Sequence, residues 1–337
     1  MDLLGLDAGF RPVKALFCVN IQWNRRYYEP GDYQLQLRTA DWSPAIVYIY
    51  APQRPETGMV EKVETQHTVK GDFVLVSGFF LEGMLNWKVV YPRYRATGNL
   101  SAACRALVTQ HMADTGVTAP AAAQLGTEAV FDAEGETLGG LTYAMLKLQE
   151  MGQRIRLDYE AETLLYGVWQ GLDRCQTQSA HAYAMFSRGA GTVDMFTYTK
   201  DTSAYRNYAV AAYDGGVEIV DRRAGGEPVR ALYLNTGLSI EEGQTQEDFL
   251  ASVRTAALAE LANYESIVNV DANALQNNLR YLTNYDLGDK CDVRDDRLQL
   301  AFEARIIEVD EVWKKNTHTV SLQFGDKIPT VYQRGRA

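Results

Sequence analysis

Apolar and polar residues alternate with a period of two along much of the chain, which is the spacing of a half-buried β-strand. Tyr33, Leu35 and Leu37 alternate with polar residues directly after the turn sequence Glu-Pro-Gly-Asp at 29–32, which predicts a hairpin with one solvated face. The run at 73–80 is apolar on both faces and predicts a buried strand. Five or six short strands before residue 95 predict a small antiparallel barrel or sandwich.

Three segments change to the three-four spacing of amphipathic helices. Asn99 precedes the first and Thr137 the second, which we expect to stop at Gly152. Thr245, with Asp248 three residues later, is a variant capping box for the third. The apolar face predicted for the third helix consists of Leu250, Val253, Ala257, Leu261 and Tyr264.

Strand patterns return after the second helix. The segments 154–159 and 164–172 predict one hairpin, and 217–221 with 229–234 predict another, closed by the turn residues 224–227. The C-terminal block at 285–325 predicts a second small barrel. We therefore predict a mainly β (α+β) protein with two small antiparallel β-barrel domains joined by an α/β insertion. The segments are 1–95 (first barrel), 96–180 (helix-containing insertion), 181–244 (β-rich) and 245–337 (a helix and the second barrel).

Composition and charge exclude several classes of function. The net charge of −10 argues against nucleic-acid binding, which needs clustered Lys and Arg, and no apolar stretch is long enough for a membrane span. The N-terminus has no basic region before its apolar residues, so we expect no secretory signal and folding in a cytoplasm. The cysteines are widely spaced, which predicts reduced, buried thiols and no zinc site: Cys18, Cys104, Cys175 and Cys291.

The chain shows no motif with catalytic or ligand-binding chemistry. The four histidines, His67, His111, His181 and His318, form no metal-binding pair along one element. The acidic groups Asp132/Glu134/Glu136, Asp158/Glu160/Glu162 and Asp292/Asp295/Asp296 fall in predicted turns, where solvated faces are the simpler interpretation. The last group lacks the spacing of a calcium loop. We predict no catalytic, cofactor-binding or metal-binding residues, and no cofactor.

The hexad Trp-Asn-Arg-Arg-Tyr-Tyr at 23–28 interleaves basic and aromatic residues. Single-strand nucleic-acid binders use such a pattern, but Trp, Tyr and Arg also concentrate at protein interfaces. On an acidic chain, we interpret the hexad as an interface strand.

The hexad, the following residues to Leu35 and the run Gly-Phe-Phe-Leu-Glu-Gly-Met-Leu at 78–85 resemble the opening of siphophage tail hub proteins. Phe186-Ser187 and the segment 198–208 resemble the central block of that family. The segments 285–289, 304–309 and 324–325 resemble its C-terminal barrel. The resemblance runs in order along most of the chain.

This resemblance implies a structural hub of a phage tail tip or baseplate, three copies of which form a pseudo-sixfold ring around the DNA ejection channel. The implied partners are further copies of the chain as a homotrimer, distal tail and tail tube proteins, the tape measure protein, and tail fibre or receptor-binding proteins. The implied location is the virion, after assembly in the host cytoplasm. The family supplies no catalytic residues. Two alternatives stay open: a tail-associated carbohydrate hydrolase that uses an acidic pair such as Asp158 and Glu160, and a host-surface-binding module.

Overall fold

The computed structural model describes residues 1–69, 71–240, 243–315 and 317–325, with the side chains of 132 and 259 left undescribed. Strands make up 46% of the chain and helices 16%, so the prediction of a mainly β protein is confirmed. Contacts divide the described chain into two units. Unit 1 contains Met1–Thr197 and Val270–Gly325, and unit 2 contains Tyr198–Asn269. The division into four segments, made from the sequence, stays a prediction.

The N-terminal strands of unit 1 are β1 (Leu3–Leu6), β2 (Pro12–Leu16), β3 (Cys18–Arg26), β4 (Asp32–Arg38), β5 (Tyr48–Tyr50), β6 (Thr57–Met59), β7 (Lys62–Thr68) and β8 (Gly71–Phe79). A 3-10 segment, Leu81–Trp87, follows them. Next come β9 (Tyr94–Asn99), α1 (Leu100–His111), β10 (Val117–Thr118), β11 (Glu128–Ala133), α2 (Leu138–Lys147), β12 (Gly152–Asp158), β13 (Thr163–Trp169), β14 (Met185–Ser187) and β15 (Val193–Asp201).

Unit 2 contains β16 (Tyr208–Tyr213), β17 (Gly216–Asp221), β18 (Ala231–Asn235) and α3 (Gln246–Ala262). The chain then continues with β19 (Ile267–Ala274), β20 (Lys290–Asp295), β21 (Leu300–Lys314) and β22 (Thr317–Gly325). Among the helices that the structure describes, none is both long enough and apolar enough to cross a membrane.

One large sheet joins the two ends of the chain. Its strand order is β15-β19-β22-β21-β3-β4-β8-β7, and β20 with β14 is attached through β21. The central pairing is antiparallel and places Trp23 beside Glu311 and Arg25 beside Val309. The predicted hairpin of β3 and β4 is confirmed, with Asn24 paired to Asp32 across the turn. The strand-rich ends of the chain are thus hydrogen-bonded neighbours, although nearly 290 residues lie between them in sequence.

Aromatic side chains fill the core on the N-terminal side of this sheet. Trp23 packs against Phe80 at 4.6 Å and against Tyr33 at 5.8 Å between ring centroids, and all three are buried. Such tilted ring pairs add to the stabilisation that area burial alone gives. On the C-terminal side, Phe186 lies between Tyr285 and Phe324 at 4.9 and 5.0 Å. The strands and aromatic residues that the sequence indicated therefore form one continuous, packed sheet.

The three predicted helix starts are confirmed by their caps. The side chain of Asn99 accepts a hydrogen bond from the Ala102 N–H at 3.2 Å, and that of Thr137 accepts one from the Gly140 N–H at 3.0 Å. Thr245 accepts from the Asp248 N–H at 3.1 Å. These bonds satisfy N–H groups that a helix leaves unpaired at its start. The predicted stop of the second helix was wrong: α2 ends at Lys147, and Gly152 opens β12.

Unit 2 has its own small core, in which α3 covers one face of a three-stranded sheet. The predicted hairpin of 217–221 with 229–234 was wrong, because the strand order is β17-β16-β18 and β18 pairs with β16 in parallel. β17 pairs instead with β16 across the two-residue turn Asp214-Gly215, where Gly215 has a φ of +98°. Asp-Gly is the stronger hairpin signal because its residues accept positive φ. The core contains Ala209, Ala211, Phe249, Val253, Ala257 and Leu261.

Two glycines let the insertion approach Tyr27 closely. An added Cβ at Gly152 would lie 2.7 Å from the Tyr27 ring, and one at Gly288 would also collide with that ring. The Tyr27 hydroxyl donates to the Glu150 carbonyl at 3.0 Å and accepts from the Gly171 N–H at 3.1 Å. Tyr27 therefore fastens β12 and the segment after β13 to the main sheet.

We expect Gly152→Ala to lower the free energy of unfolding by about 1 to 3 kcal/mol, because the methyl group overpacks the Tyr27 contact. The matched control is Gly167→Ala on the paired strand, where an added Cβ meets nothing within 4 Å. Urea unfolding of the two variants measures the difference. Equal free energies of unfolding in the two variants would show that the structure around Tyr27 accommodates the methyl group without loss of stability.

Candidate functional site

Four residues of the hexad at 23–28 lie inside the protein, whereas Arg26 and Tyr28 are partly exposed. Trp23, Arg25 and Tyr27 are each at most 1% exposed, and Asn24 is also buried. The interpretation of this strand as an interface strand was therefore wrong for these four residues. Their side chains pack within the chain because β3 is an interior strand of the sheet, between β21 and β4.

The most concentrated polar cluster in the described residues surrounds Arg25. Its Nε donates to Glu56 Oε1 at 2.7 Å, and its Nη1 donates to Asp286 Oδ1 at 2.6 Å and to the Tyr281 hydroxyl. We call these four residues the Arg25 network. Arg25 comes from β3, Glu56 from the loop before β6, and Tyr281 and Asp286 from the loop between β19 and β20. Three distant parts of the sequence meet at one guanidinium group.

A second ion pair adjoins this network. Arg54 donates to both carboxylate oxygens of Glu311, at 2.9 and 2.7 Å, and Glu311 is fully buried. Its Oε2 also lies 3.0 Å from His318 Nε2. Burial acts to raise the pKa of Glu311, but the hydrogen bonds from His318 and Arg54 outweigh it and lower that pKa. Arg25 and Arg54 both lie over the Tyr281 ring, at 5.8 and 5.9 Å from its centroid.

Glu82 is a buried acid that forms no ion pair with a residue that the structure describes. It lies in the 3-10 segment after β8, is 4% exposed, and its Oε2 is buried without a hydrogen-bond partner. Burial, and next the nearby carboxylate of Glu56, raise the pKa of Glu82 to about 8. Glu82 is therefore mostly protonated at neutral pH, which avoids a second buried negative charge beside Glu56.

Chemically, this arrangement is suited to holding strands together. The guanidinium of Arg25 is 1% exposed and its partner Glu56 is 7% exposed, so only Asp286, at 40%, connects the network with solvent. A buried charge needs such partners, because removal from water costs several kcal/mol per ion. No pattern in the sequence indicates the network, because its members are scattered from residue 25 to residue 286.

The acidic groups predicted as solvated turns lie as follows. Glu160 and Glu162 are exposed, and Asp158 accepts a hydrogen bond from the Ala161 N–H at 3.1 Å across the turn. Glu134 and Glu136 are also exposed, while the side chain of Asp132 lies outside the described residues. Asp295 is buried and caps its turn by accepting from the N–H groups of Arg297 and Leu298. Asp296 pairs with Arg294 at 2.6 Å.

Asp292 leaves its predicted group and lies beside Cys175 and Glu303, with ligand atoms of the three within 4.8 Å of one another. Glu303 is already paired with Lys290 and accepts from Thr177 at 2.8 Å. Burial raises the pKa of the Cys175 thiol to about 12, so the thiol stays protonated. A metal ion would have to displace both the lysine and this proton, so the cluster is a poor metal site.

The remaining candidate residues are separated in the fold. All four cysteines are free thiols; Cys104, Cys175 and Cys291 are buried as expected, and Cys18 is half-buried. His67 pairs with Asp72 at the surface, and His318 pairs with Glu311. His111 is the C-terminal residue of α1, and His181 is exposed in a loop.

We expect Arg25→Met to lower the free energy of unfolding by about 3 to 5 kcal/mol, because it leaves Glu56 buried without its cation. Arg294→Met is the matched control, since Arg294 is more than half exposed and pairs with the equally exposed Asp296. That control should change stability by less than about 1 kcal/mol. Guanidinium unfolding of both variants measures the difference, and similar losses in the two would contradict a central role for Arg25.

Glu82 makes stability depend on pH. Its pKa is higher in the folded chain than in the unfolded chain, so the folded state binds the proton more tightly between about pH 4.5 and 8. Stability from this group is therefore greatest at low pH and is lost as the pH rises through that window. We expect Glu82→Gln to remove this slope and to be more stable than wild type at pH 8. Thermal unfolding between pH 5 and 9 tests this, with the exposed Glu160→Gln as a control that keeps the wild-type slope.

A family model described as Siphovirus ReqiPepy6 Gp37-like protein matches residues 18–326. No curated protein sequence gives a significant match. Among solved structures, the tail protein from Neisseria meningitidis MC58 is 11% identical, with 97% of this chain and 96% of that chain covered at a TM-score of 0.60.

Two prophage proteins are also similar in structure. The 43 kDa tail protein of prophage MuSo2 from Shewanella oneidensis is 13% identical, with 96% of this chain and 98% of that chain covered at a TM-score of 0.62. The prophage tail protein gp18 from Listeria monocytogenes EGD-e is 9% identical, with 100% and 99% covered at a TM-score of 0.56. These likenesses establish the fold. The match over residues 18–326 establishes the family: the chain belongs to the Siphovirus ReqiPepy6 Gp37-like proteins.

Proposed function

We propose that this chain is a structural subunit of a phage tail, and specifically the hub that joins the tail tube to the tail tip. The observation that carries the proposal is that its fold matches prophage tail proteins over nearly the full length of both chains. Family membership supports the same conclusion. A subunit of this kind acts through its surfaces, which agrees with an interior devoted to holding strands together.

In this proposal, three copies form a ring in the virion, after assembly in the host cytoplasm. The ring contacts distal tail and tail tube proteins on one side and tail fibre or receptor-binding proteins on the other, and the tape measure protein ends in its channel. A net charge of −10 supports a role in lining the DNA channel, because acidic surfaces repel passing phosphates.

An edge strand offers one surface for assembly. β7 lies at the end of the large sheet and is mostly exposed, with Val63 47% exposed. The outer backbone groups of an edge strand are available to pair with a strand of another chain. Phe79, at the end of the partner strand β8, is also 44% exposed.

Unit 2 offers a second surface of this kind. The face of its sheet that α3 does not cover carries Val217, Ile219 and Tyr233, which are 55%, 53% and 69% exposed. In register, Ile219 and Tyr233 flank Val210 from the two neighbouring strands. Adjacent exposed apolar side chains on one sheet face are typical of an interaction surface.

We expect the purified protein to have a mass three times that of the chain by light scattering, and to appear as a threefold ring with a central hole in negative-stain images. Val63→Asp should shift the protein toward the monomer, because a charge on the edge strand opposes pairing with a neighbour. The same two measurements on both proteins test this expectation.

Val19→Asp is the matched control, since Val19 is also an exposed valine on a strand but lies on β3, which is an interior strand of the same sheet. It should remain trimeric. A wild-type monomer that binds host cells would contradict the hub and favour a host-surface-binding module. If the wild-type protein is a monomer and does not bind purified tail tube protein, that result would contradict any role in joining the tube to the tip.

A further inference from the structure

Two arginines of the insertion share one face of the β12–β13 hairpin. Arg154 lies opposite Gly167, and Arg156 lies opposite Leu165. Because side chains alternate along a strand, both arginines point away from the buried face of β12. At Gly167 an added Cβ would meet nothing within 4 Å, so there is open space over this strand beside Arg154.

A third arginine comes from another element. Arg105 of α1 lines the same cavity of about 350 Å³, together with Pro120 and Ala122. Its Nη2 lies 3.4 Å from the Ala122 carbonyl oxygen. The guanidinium of Arg154 lies over the Trp169 ring, 5.3 Å from its centroid, and Trp169 is also part of the lining. One helix, α1, and one strand, β12, thus bring three guanidinium groups to one cavity.

Within the described residues these three charges are only partly offset, because the carboxylates of Glu56 and Asp286 act on Arg154 from outside the cavity lining. Among the described residues, no carboxylate lines the cavity and none of the three arginines forms an ion pair. Burial lowers the pKa of Arg154, and arginine nevertheless stays protonated in proteins. Arg206 is also partly buried and bonds only to backbone carbonyl groups among the described residues. Five other arginines that the fold partly or fully buries do have carboxylate partners: Arg25, Arg26, Arg54, Arg174 and Arg305.

We propose that this cavity binds a phosphate group, either as the free anion or as an ester of a small alcohol. Each guanidinium presents a planar fork of N–H donors that matches two oxygens of an oxyanion. A phosphate has enough oxygens to accept from three such forks, whereas a carboxylate has only two oxygens. The volume also suits a phosphate with a small organic group, since ligand pockets begin at roughly 300 Å³. We call it the phosphate cavity.

Isothermal titration of the full chain tests the proposal, with sodium phosphate, glycerol 3-phosphate and sodium acetate as probes at constant ionic strength. We expect saturable binding of both phosphates with one site per chain, and weaker binding of acetate. Tighter binding of glycerol 3-phosphate would assign an ester, tighter binding of inorganic phosphate would assign the free anion, and both results support the site. No saturable binding of either phosphate in the millimolar range would overturn the proposal.

Variants separate this cavity from general surface charge. The double variant Arg105→Gln with Arg156→Gln should weaken phosphate binding at least about tenfold, which corresponds to about 1.4 kcal/mol. Gly167→Val should also weaken it, because the side chain fills the cavity while all three charges remain. Arg11→Gln, at an exposed arginine outside the cavity, should bind as wild type does. Wild-type affinity in Gly167→Val, with an unchanged unfolding midpoint, would overturn the proposal.

Discussion

The pairing of β3 with β21 is the constraint on which the rest of unit 1 depends. It joins strands from opposite ends of the sequence, and closing so long a loop costs chain entropy before any contact is gained. The Arg25 network connects β3 to the loop before β6 and to the loop after β19. An unpaired guanidinium in the interior is unfavourable, so the network favours the arrangement in which these three segments meet.

The same interior shows how polar groups are accommodated close to the main sheet. Glu311 keeps its charge by sharing it with Arg54 and His318, whereas Glu82 has no such partner and retains its proton. Both solutions avoid a bare charge in a medium of low polarity. Around them, glycines at 152 and 288 allow Tyr27 to dock the insertion, so packing and polar pairing act on the same strand.

A structural subunit of a tail needs a rigid interior and surfaces that bind neighbouring subunits. The buried network supplies the first, and the exposed edge of β7 with the open face of unit 2 supports the second. The proposed phosphate cavity differs from both in its charge. It is a local concentration of positive charge on an acidic chain, and it depends on a strand glycine that leaves room above the sheet.

The sequence by itself determined the local structure. Strand alternation, the caps Asn99, Thr137 and Thr245, and the turn at 29–32 depend on residues close together in the chain, and these predictions were confirmed. Tertiary structure alone decided which strands are neighbours: it paired β18 with β16 and buried four residues of the hexad at 23–28 within the chain. It also brought Arg105 to Arg154 and Arg156, and Glu56 to Arg25. The physical reason is that local patterns state whether a side chain faces water or core, while the partner it meets there depends on contacts between residues far apart in sequence.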